Sequence, residues 1–159
     1  MILQKLDELK IPYQLYPHEP VQTMEDLAAI DETIGVPHCK NLFLCNRQET
    51  DFYLLLLQGQ KAFRTASVSK QLGVSRLSFG SAENLWRLLR TMPGAISPLG
   101  LAFDTSHAVR LLIDRDLAGE EMICVHPLVN DASLVMRRSD LLGKFLDATG
   151  HRPIWVDIE

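Results

Sequence analysis

The sequence lacks the features that mark several large classes of protein. Its three cysteines, at positions 39, 45 and 124, are odd in number and form no Cys-x-x-Cys pair, which argues against a disulfide framework or a zinc knuckle. Its five histidines show no paired ligand spacing, so we predict no metal site. No apolar run approaches the roughly 18 residues of a membrane-spanning helix. The N-terminus has no basic segment leading into an apolar run and a cleavage site, so we expect a cytoplasmic protein that does not act in a membrane.

Two common nucleotide-binding loops are also missing. Neither Gly-x-x-x-x-Gly-Lys-Ser/Thr nor Gly-x-Gly-x-x-Gly occurs in the chain, which removes the usual nucleotide and dinucleotide sites, and we predict no cofactor. What the sequence does have is an ordinary soluble composition, with 47% hydrophobic and 23% charged residues. A chain of 159 residues can bury roughly two-thirds of the surface that it exposes when unfolded, so we expect a single domain over residues 1–159.

The charge of the chain is unevenly distributed. Its net charge of −4 argues by itself against a nucleic-acid partner. However, residues 1–39 carry two basic and seven acidic residues, residues 40–90 carry eight and three, and residues 91–159 carry six and ten. The middle segment therefore has a balance of +5, and its cations can line one face and contact phosphates. The alternative is that these cations are scattered over the surface of the protein and are simply solvated.

Apolar periodicity predicts both helices and strands along the chain. Helices are predicted at 3–10, 24–30, 65–72, from 81 through 89, and from a cap at Ser139 to Gly150, and strands at 13–16, 40–45, 52–57, 76–79, 109–113, 122–126, 134–138 and 154–158. The continuous apolar runs at 40–45 and 52–57 predict a hairpin of interior strands. Because strands and helices interleave without a regular βαβ order, we predict an α+β fold: a mixed sheet, curved or partly closed, with helices outside.

The stretch Pro93-Gly94-Ala95-Ile96-Ser97-Pro98 follows directly after a predicted helix. Pro98 fixes its own φ and biases Ser97 toward an extended conformation, while Gly94 permits a close backbone approach. A stiff loop with uncovered amides can hold a carbonyl or a developing oxyanion without reorganising, which favours acyl chemistry. The alternative is a simple connector, since proline and glycine mark most turns.

A second candidate segment runs from His126 to Ser133. It places an imidazole at a strand end, then a rigid turn at Pro127, then the amide of Asn130 and the hydroxyl of Ser133. Strand ends before proline are common places for site residues, although a lone histidine is more often structural. The run Asp104-Thr105-Ser106-His107 is a weaker candidate, because triad members meet in space and adjacency in a polar loop favours simple solvation.

Five motifs occur in a fixed order along the chain: Lys-Asn-Leu-Phe-Leu at 40–44, Arg-Leu-Ser-Phe-Gly at 76–80, Pro-Gly-x-x-x-Pro at 93–98, His-Pro-Leu-x-Asn-x-Ala at 126–132, and Thr-Gly-His at 149–151. In these motifs and their spacing the chain resembles the YbaK-like aminoacyl-tRNA deacylases, in particular free-standing relatives of the bacterial prolyl-tRNA synthetase editing domain. The resemblance runs nearly end to end, and it implies the editing-domain fold.

The resemblance also implies a reaction, namely hydrolysis in trans of alanine wrongly attached to tRNA(Pro). The implied partner is the acceptor end of that tRNA, with prolyl-tRNA synthetase or an elongation factor as transient partners. Two alternatives stay open: a deacylase for another small amino acid such as cysteine or serine, and a non-catalytic module that binds tRNA or the synthetase.

The roles that the resemblance implies fall on three parts of the chain. Lys40 lies near the terminal adenosine and its phosphate, and Arg76 contacts the acceptor stem. The loop from Gly94 and Ala95 through Ile96, Ser97 and Pro98 grips the ester, and His126, Asn130 and Ser133 line the pocket. A ribose hydroxyl of the tRNA helps to activate the water.

The sequence departs from the family pattern at two places in these motifs. The family usually has Thr at Ser133 and Val-Thr at Ile96-Ser97. Both exchanges keep the chemical character of the side chain, a hydroxyl for a hydroxyl and a branched apolar group for another. Met24, at the start of a helix capped by Thr23, is predicted to wall the pocket by its position and not by a motif.

Overall fold

Two β-sheets form the framework of the fold in the computed structural model, which describes residues 2–21 and 23–158 apart from the side chain of Met24. The strands are β1 (Tyr13–Pro17), β2 (Cys39–Cys45), β3 (Phe52–Gln58), β4 (Ser78–Phe79), β5 (Val109–Asp114), β6 (Met122–Val125), β7 (Ala132–Arg137) and β8 (Ile154–Val156). One sheet is antiparallel with the order β1-β7-β6. The other has the order β4-β2-β3-β5-β8, antiparallel from β4 to β3 and parallel from β3 to β8.

Helices surround these sheets. They are α1 (Ile2–Glu8), α2 (Met24–Ile34), α3 (Thr65–Leu72), α4 (Ala82–Leu89), α5 (Arg138–Asp140) and α6 (Leu146–Thr149). A π-helical turn at Leu141–Phe145 joins α5 to α6, and 3-10 turns occupy Pro93–Ala95, Pro98–Phe103 and Arg115–Gly119. None of the helices in the described part of the chain is both long and apolar enough to cross a membrane.

The predicted α+β fold with flanking helices is confirmed. A bridge between His38 and Cys124 joins the two sheets where β2 begins, and neither sheet closes on itself in the described residues. The prediction of interior strands is also confirmed, because β2 and β3 both lie inside the five-stranded sheet. All of β3 except Gln58 is buried, as its continuous apolar run requires.

The core lies on both faces of the five-stranded sheet. One face packs against the three-stranded sheet, α1, α4 and the C-terminal helical segment, through residues such as Phe43, Leu54 and Met136. The other face, with Leu44 and Leu55, is covered by α3. Because side chains alternate along a strand, each residue of β2 belongs to one face or the other.

Helix α2 is longer than predicted. Thr23 caps it as expected, with its hydroxyl accepting a hydrogen bond of 3.1 Å from the Asp26 amide. The helix continues to Ile34, past the predicted end at residue 30, and stops at Gly35, whose φ of 85° provides the left-handed C-terminal cap.

Strand β7 begins before its predicted position. It starts at Ala132, two residues ahead of Leu134, because Ser133 is a fully buried strand residue with side-chain hydrogen bonds. The polar Ser133 breaks the apolar run from which the strand was predicted. The following helix starts at Arg138, so the predicted cap at Ser139 is wrong. The last strand ends at Val156, short of the predicted residue 158.

Candidate active site

The two loops that the sequence singled out meet in the structure. A Cβ added to Gly94 would lie 3.8 Å from Nδ2 of Asn130. The buried hydroxyl of Thr91 donates to the Ala95 carbonyl at 2.7 Å and lies 3.5 Å from the Leu128 carbonyl. Leu128 itself adopts a left-handed φ of 68°, an uncommon conformation for this residue type. The Pro93–Pro98 loop and the turn after His126 thus form one unit, with Gly94 facing the Asn130 side chain.

The Pro93–Pro98 loop is stiff, but not all of its amides are uncovered. Ala95, Ser97 and Pro98 are buried, Ile96 is half-buried against the core, and Gly94 is exposed. The Ser97 hydroxyl accepts a hydrogen bond from the Leu99 amide at 3.2 Å. The Ala95 amide donates to the Met92 carbonyl at 2.9 Å, so the prediction of uncovered amides is wrong for Ala95. The short 3-10 turn at Pro93–Ala95 turns this amide inward.

Ser133, a predicted pocket residue, lies at the centre of a polar cluster. Its hydroxyl lies 2.6 Å from Nε2 of His38 and 2.7 Å from Nε2 of His18. Nδ1 of His38 is hydrogen-bonded to Oδ1 of Asp31, and the same oxygen accepts from the His38 amide at 3.1 Å. The thiol of Cys124 also adjoins Ser133, and burial raises its pKa to about 12, so it stays protonated.

His18, Asp31 and His38 belong to the polar cluster around Ser133, and the sequence analysis did not single them out. They come from the end of β1, from α2 and from the residue before β2. Only the pairing of β1 with β7 places His18 beside Ser133, and only the His38–Cys124 bridge places His38 there. No pattern in the neighbouring sequence predicts the pairing of β1 with β7 or the bridge between His38 and Cys124.

His126 adjoins this cluster. Its ring centroid lies 5.4 Å from that of His38, and its Nδ1 lies 3.4 Å from the Ala132 carbonyl. A carbonyl only accepts, so Nδ1 carries the proton and Nε2 keeps its lone pair. Burial lowers the pKa of His126, the Ala132 carbonyl opposes this, and the neighbouring His38 and His18 lower it further. The net decrease keeps His126 neutral near pH 7 and able to accept a proton.

Lys40 and Arg76 lie on the α3 side of the sheet. Lys40 shares the face of β2 that carries Leu44, and its ammonium donates to the Lys61 carbonyl at 2.6 Å. The guanidinium of Arg76 donates to the Thr65 hydroxyl at 3.3 Å at the start of α3.

Two aromatic rings lie on the same surface as these cations. Phe79 pairs with Leu44 across the strands and is 63% exposed. The ring of Phe63, two residues after Lys61, lies edge-on to the Phe79 ring, with 6.3 Å between the ring centroids. Phe63 is partly buried against the core, so Phe79 is the exposed ring of the pair, and an exposed aromatic ring among cations suits the bases and phosphates of a nucleic acid.

Lys61 does not belong to this surface, although it lies in the basic segment. Its side chain is 11% exposed and its ammonium contacts the carboxylates of Asp114 at 3.0 Å and Asp116 at 2.6 Å. It also donates to the Ile158 carbonyl at 2.7 Å. The basic segment therefore has fewer cations available to phosphates than its composition indicates.

Asp104 and His107 have structural roles. Asp104 is buried, and its carboxylate accepts from the Ala108 and Val109 amides and from Nε2 of His151 at 2.9 Å. The expectation of a solvated loop is therefore wrong for Asp104, because this side chain fixes the start of β5. His107 binds the Thr149 carbonyl at 2.9 Å, so no triad forms there. Within residues 2–21 and 23–158, no group of three histidine, cysteine or acidic side chains could hold a metal ion.

The predicted wall residue Met24 has its side chain outside the described residues, so its place relative to the loop stays a prediction. The other predicted residues fall into two groups. Gly94, Ala95, Ile96, Ser97, Pro98, His126, Asn130 and Ser133 belong to the two loops and the cluster beside them, and Lys40 and Arg76 belong to the α3 side.

Comparison with known families defines the class of protein to which the chain belongs. The chain belongs to the aminoacyl-tRNA editing domain family, whose model matches residues 18–143. It is an aminoacyl-tRNA deacylase, a carboxylic ester hydrolase.

Individual relatives agree with this family. The chain is 34% identical over 150 residues to the prolyl-tRNA editing protein ProX of Acetoanaerobium sticklandii, covering 94% of this chain and 91% of the relative. It is 30% identical to prolyl-tRNA synthetase associated domain-containing protein 1 of Danio rerio, covering 97% of this chain and 84% of the relative. A crystal structure of a candidate trans-editing enzyme for prolyl tRNA synthetase has the same fold, with a TM-score of 0.72 at 17% identity over 99% of this chain and 94% of that one.

Proposed function

We propose that the protein removes alanine from mischarged alanyl-tRNA(Pro). The observation that carries this proposal is the approach of Gly94 to Asn130, where a Cβ added to Gly94 would lie 3.8 Å from the Asn130 amide nitrogen, together with the neutral state of His126 in the same turn as Asn130. This arrangement offers a narrow space with a proton acceptor at its side. It suits a small aminoacyl ester better than a large one.

An aminoacyl ester is already activated, so the chemistry needs a placed water and a stabilised oxyanion without a covalent nucleophile. We assign His126 the role of accepting a hydrogen bond from the water or from a ribose hydroxyl of the terminal adenosine, through its free Nε2. Gly94 lets the ester approach the loop backbone. Ala95 holds the loop in place, because its amide and its carbonyl are both engaged within the loop.

Selectivity for alanine over proline rests on exclusion by size in this proposal. One methylene is worth only about 1–3 kcal/mol of binding, so a pocket cannot favour the smaller side chain strongly by attraction. A rigid wall can exclude the larger one. Ile96, Ser97 and Pro98 form such a wall, since two of them are fully packed into the structure, and Met24 is a further proposed wall residue.

Binding of the tRNA acceptor end is assigned to the α3 side. Lys40 contacts the terminal adenosine and its phosphate, and Arg76 contacts the acceptor stem. Arg76 lines a surface depression together with the exposed ring of Phe79, which supports its role. Action in the cytoplasm as one editing domain, with transient contacts to prolyl-tRNA synthetase or an elongation factor, completes the proposal.

One deacylation assay tests the proposal. The purified chain is incubated with tRNA(Pro) charged separately with alanine, proline, cysteine and serine. We expect hydrolysis of the alanyl ester and no hydrolysis of the prolyl ester. Faster hydrolysis of cysteinyl or seryl esters would move the assignment to another small amino acid, and equal rates on alanyl and prolyl esters would refute exclusion by size. Binding of tRNA without hydrolysis of any ester would indicate a binding module.

A further inference from the structure

The hydroxyl of Ser133 is shared by two imidazole rings. It is fully buried on β7, 2.6 Å from Nε2 of His38 and 2.7 Å from Nε2 of His18. A hydroxyl has one proton to donate, and its oxygen accepts from other donors. Only one of the two ring nitrogens can therefore accept the Ser133 proton. The other nitrogen must carry a proton of its own and donate it to the Ser133 oxygen.

The opposite nitrogen of each ring is already a donor. Nδ1 of His18 lies 2.8 Å from the Glu19 carbonyl, which can only accept. Nδ1 of His38 is hydrogen-bonded to the Asp31 carboxylate. A neutral imidazole has a single N–H. Whichever ring donates to Ser133 is therefore protonated on both nitrogens and positively charged, and the Asp31 carboxylate balances that charge.

We infer that His18, Asp31, His38 and Ser133 form a positioning network that holds one imidazolium ion beside His126. The inference rests on the proposed function, because the four residues act on the reaction through His126. The His126 ring is 5.4 Å from the His38 ring, so a positive charge in the network opposes a second charge on His126 and keeps its lone pair available. Asp31 belongs to α2, none of whose described side chains is buried, so the network also fixes this helix to the site.

The titratable groups around Ser133 come from every element packed against it. They are His18 from the end of β1, Asp31 from α2, His38 and Cys39 from the start of β2, and Cys124 and His126 from β6 and its end, with Asp114 and Glu120 acting on Cys39 from farther away. Burial raises the pKa of both Cys39 and Cys124 to about 12, so neither thiol adds a charge. Asp31 is the carboxylate that is hydrogen-bonded into the network.

The order Asp31, His38, Ser133 matches that of a hydrolytic triad, in which a carboxylate orients an imidazole that activates a hydroxyl. A nucleophile, however, must reach the ester carbonyl. Ser133 is fully buried, and His18 occupies a second side of its oxygen. The geometry therefore favours a positioning role over a covalent one.

Nitrogen NMR of the full chain with isotope-labelled histidine tests the network without any substrate. An imidazolium ring gives two similar nitrogen shifts, whereas a neutral ring gives two widely separated ones. At about pH 7.5, we expect the imidazolium pattern from one ring of the His18 and His38 pair, because the hydrogen bonds to Ser133, Glu19 and Asp31 require a second N–H on that ring. Neutral patterns from both rings would overturn the inference, whether or not the proposed deacylation holds.

Variants at His18 and Ser133 test whether the shared hydroxyl proton is the cause of the imidazolium charge. His18→Gln places an amide that can donate to Ser133 with no extra proton, so we expect the imidazolium pattern to disappear from His38. Ser133→Thr keeps the shared hydroxyl and should keep the pattern, and Ser133→Ala should lose it. An imidazolium pattern that persists in both His18→Gln and Ser133→Ala would contradict the shared-proton account.

The pH profile of kcat/KM on alanyl-tRNA(Pro) gives a second readout, one that a purely structural role would not move. Without the imidazolium, His126 binds a proton more readily. The acid limb of the kcat/KM profile of His18→Gln should therefore lie at a higher pH than that of the wild type, by about half a pH unit or more. Glu32→Gln is the matched control, because it removes an exposed carboxylate from α2 next to Asp31 and should leave the profile in place. Equal profiles for wild type and His18→Gln would overturn the effect on His126.

Discussion

Replacing Thr91 by valine tests whether the two loops act as one rigid unit. The Thr91 side chain is 1% exposed, and its hydroxyl donates to the Ala95 carbonyl at 2.7 Å. Valine keeps the shape of threonine but leaves that buried carbonyl without its donor, which costs about 1–3 kcal/mol. For a domain of this size, a loss of about 2 kcal/mol lowers Tm by about 4–8 °C. The loop is then held less firmly, so we also expect slower deacylation.

Thermal unfolding and a deacylation time course measure the two effects. Thr33→Val is the matched control, since the Thr33 hydroxyl also donates to a carbonyl, that of Ala29 at 3.1 Å, but on the exposed side of α2. We expect a change within about 0.5 kcal/mol for this control. A Thr91→Val protein with the same Tm and rate as Thr33→Val would show that the hydroxyl does not hold the loop, and the rigid-wall account of selectivity would lose its support.

Three further substitutions test the assigned residues. Lys40→Ala should slow deacylation by about tenfold or more in a chain that still folds, because a charge-assisted contact to the substrate is worth about 1.5–3 kcal/mol. Arg76→Ala should weaken the use of tRNA and flatten its salt dependence, with little effect on a minimal aminoacyl-adenosine substrate, because phosphate contacts release counterions. Gly94→Ala should fold normally, since its Cβ would meet only Asn130 at ordinary contact distance, but should slow catalysis by filling the space that faces Asn130.

Each of these three predictions has a control variant and a result that would contradict it. Lys70→Ala removes an exposed lysine on α3, and a Lys40→Ala protein no slower than this one would remove Lys40 from the site. Arg115→Ala removes an exposed cation outside the basic segment; if Arg76→Ala harms both substrates equally, Arg76 supports the pocket and does not contact RNA. Gly119→Ala adds a Cβ in open space, and equal rates for both glycine variants would show that the approach at Gly94 is not needed.

The local elements of the fold could be predicted because their signals are local. The continuous apolar run of β3 predicted an interior strand, and the helix caps Thr23 and Ser81 accept amide hydrogen bonds within three residues. The left-handed Gly73 ends α3 as expected, with a φ of 69°. In each case, the residues that decide the conformation are neighbours in the chain.

The polar part of the site could not be predicted, because its partners are far apart in sequence. Ser133 is 115 residues from His18 and 95 from His38. Their contact depends on which strands pair, and apolar periodicity does not report that. Motifs alone identified His126 and Ser133, whereas the neutral state of His126 follows from burial and from ring neighbours that only the folded chain provides.

The number of cations in the basic segment overstates its RNA-binding surface, because Lys61 is paired with two carboxylates. The substitution Lys61→Ala tests this interpretation. Burial lowers the pKa of its ammonium, but hydrogen bonds to Asp116 and Asp114 outweigh this and leave the pKa above the ordinary value of 10.5. Its stabilising effect is therefore complete below that value and is lost as the pH rises through the folded-state pKa. Lys61→Ala leaves Asp114, whose side chain is fully buried, without its cation, so we expect a loss of about 3 kcal/mol or more in unfolding free energy near pH 7.

The same substitution should leave the salt dependence of tRNA binding unchanged, because Lys61 faces carboxylates and not solvent. Binding titrations at several salt concentrations, with protein kept well below its unfolding temperature, compare Lys61→Ala with Arg76→Ala. Removing a structural cation lowers the stability and leaves the salt dependence of binding unchanged. Removing a cation that contacts RNA flattens the salt dependence and leaves the stability unchanged. A flatter salt slope in Lys61→Ala would mean that its ammonium leaves Asp114 and Asp116 for a phosphate when tRNA binds, and the division of the basic segment drawn from its contacts would be wrong.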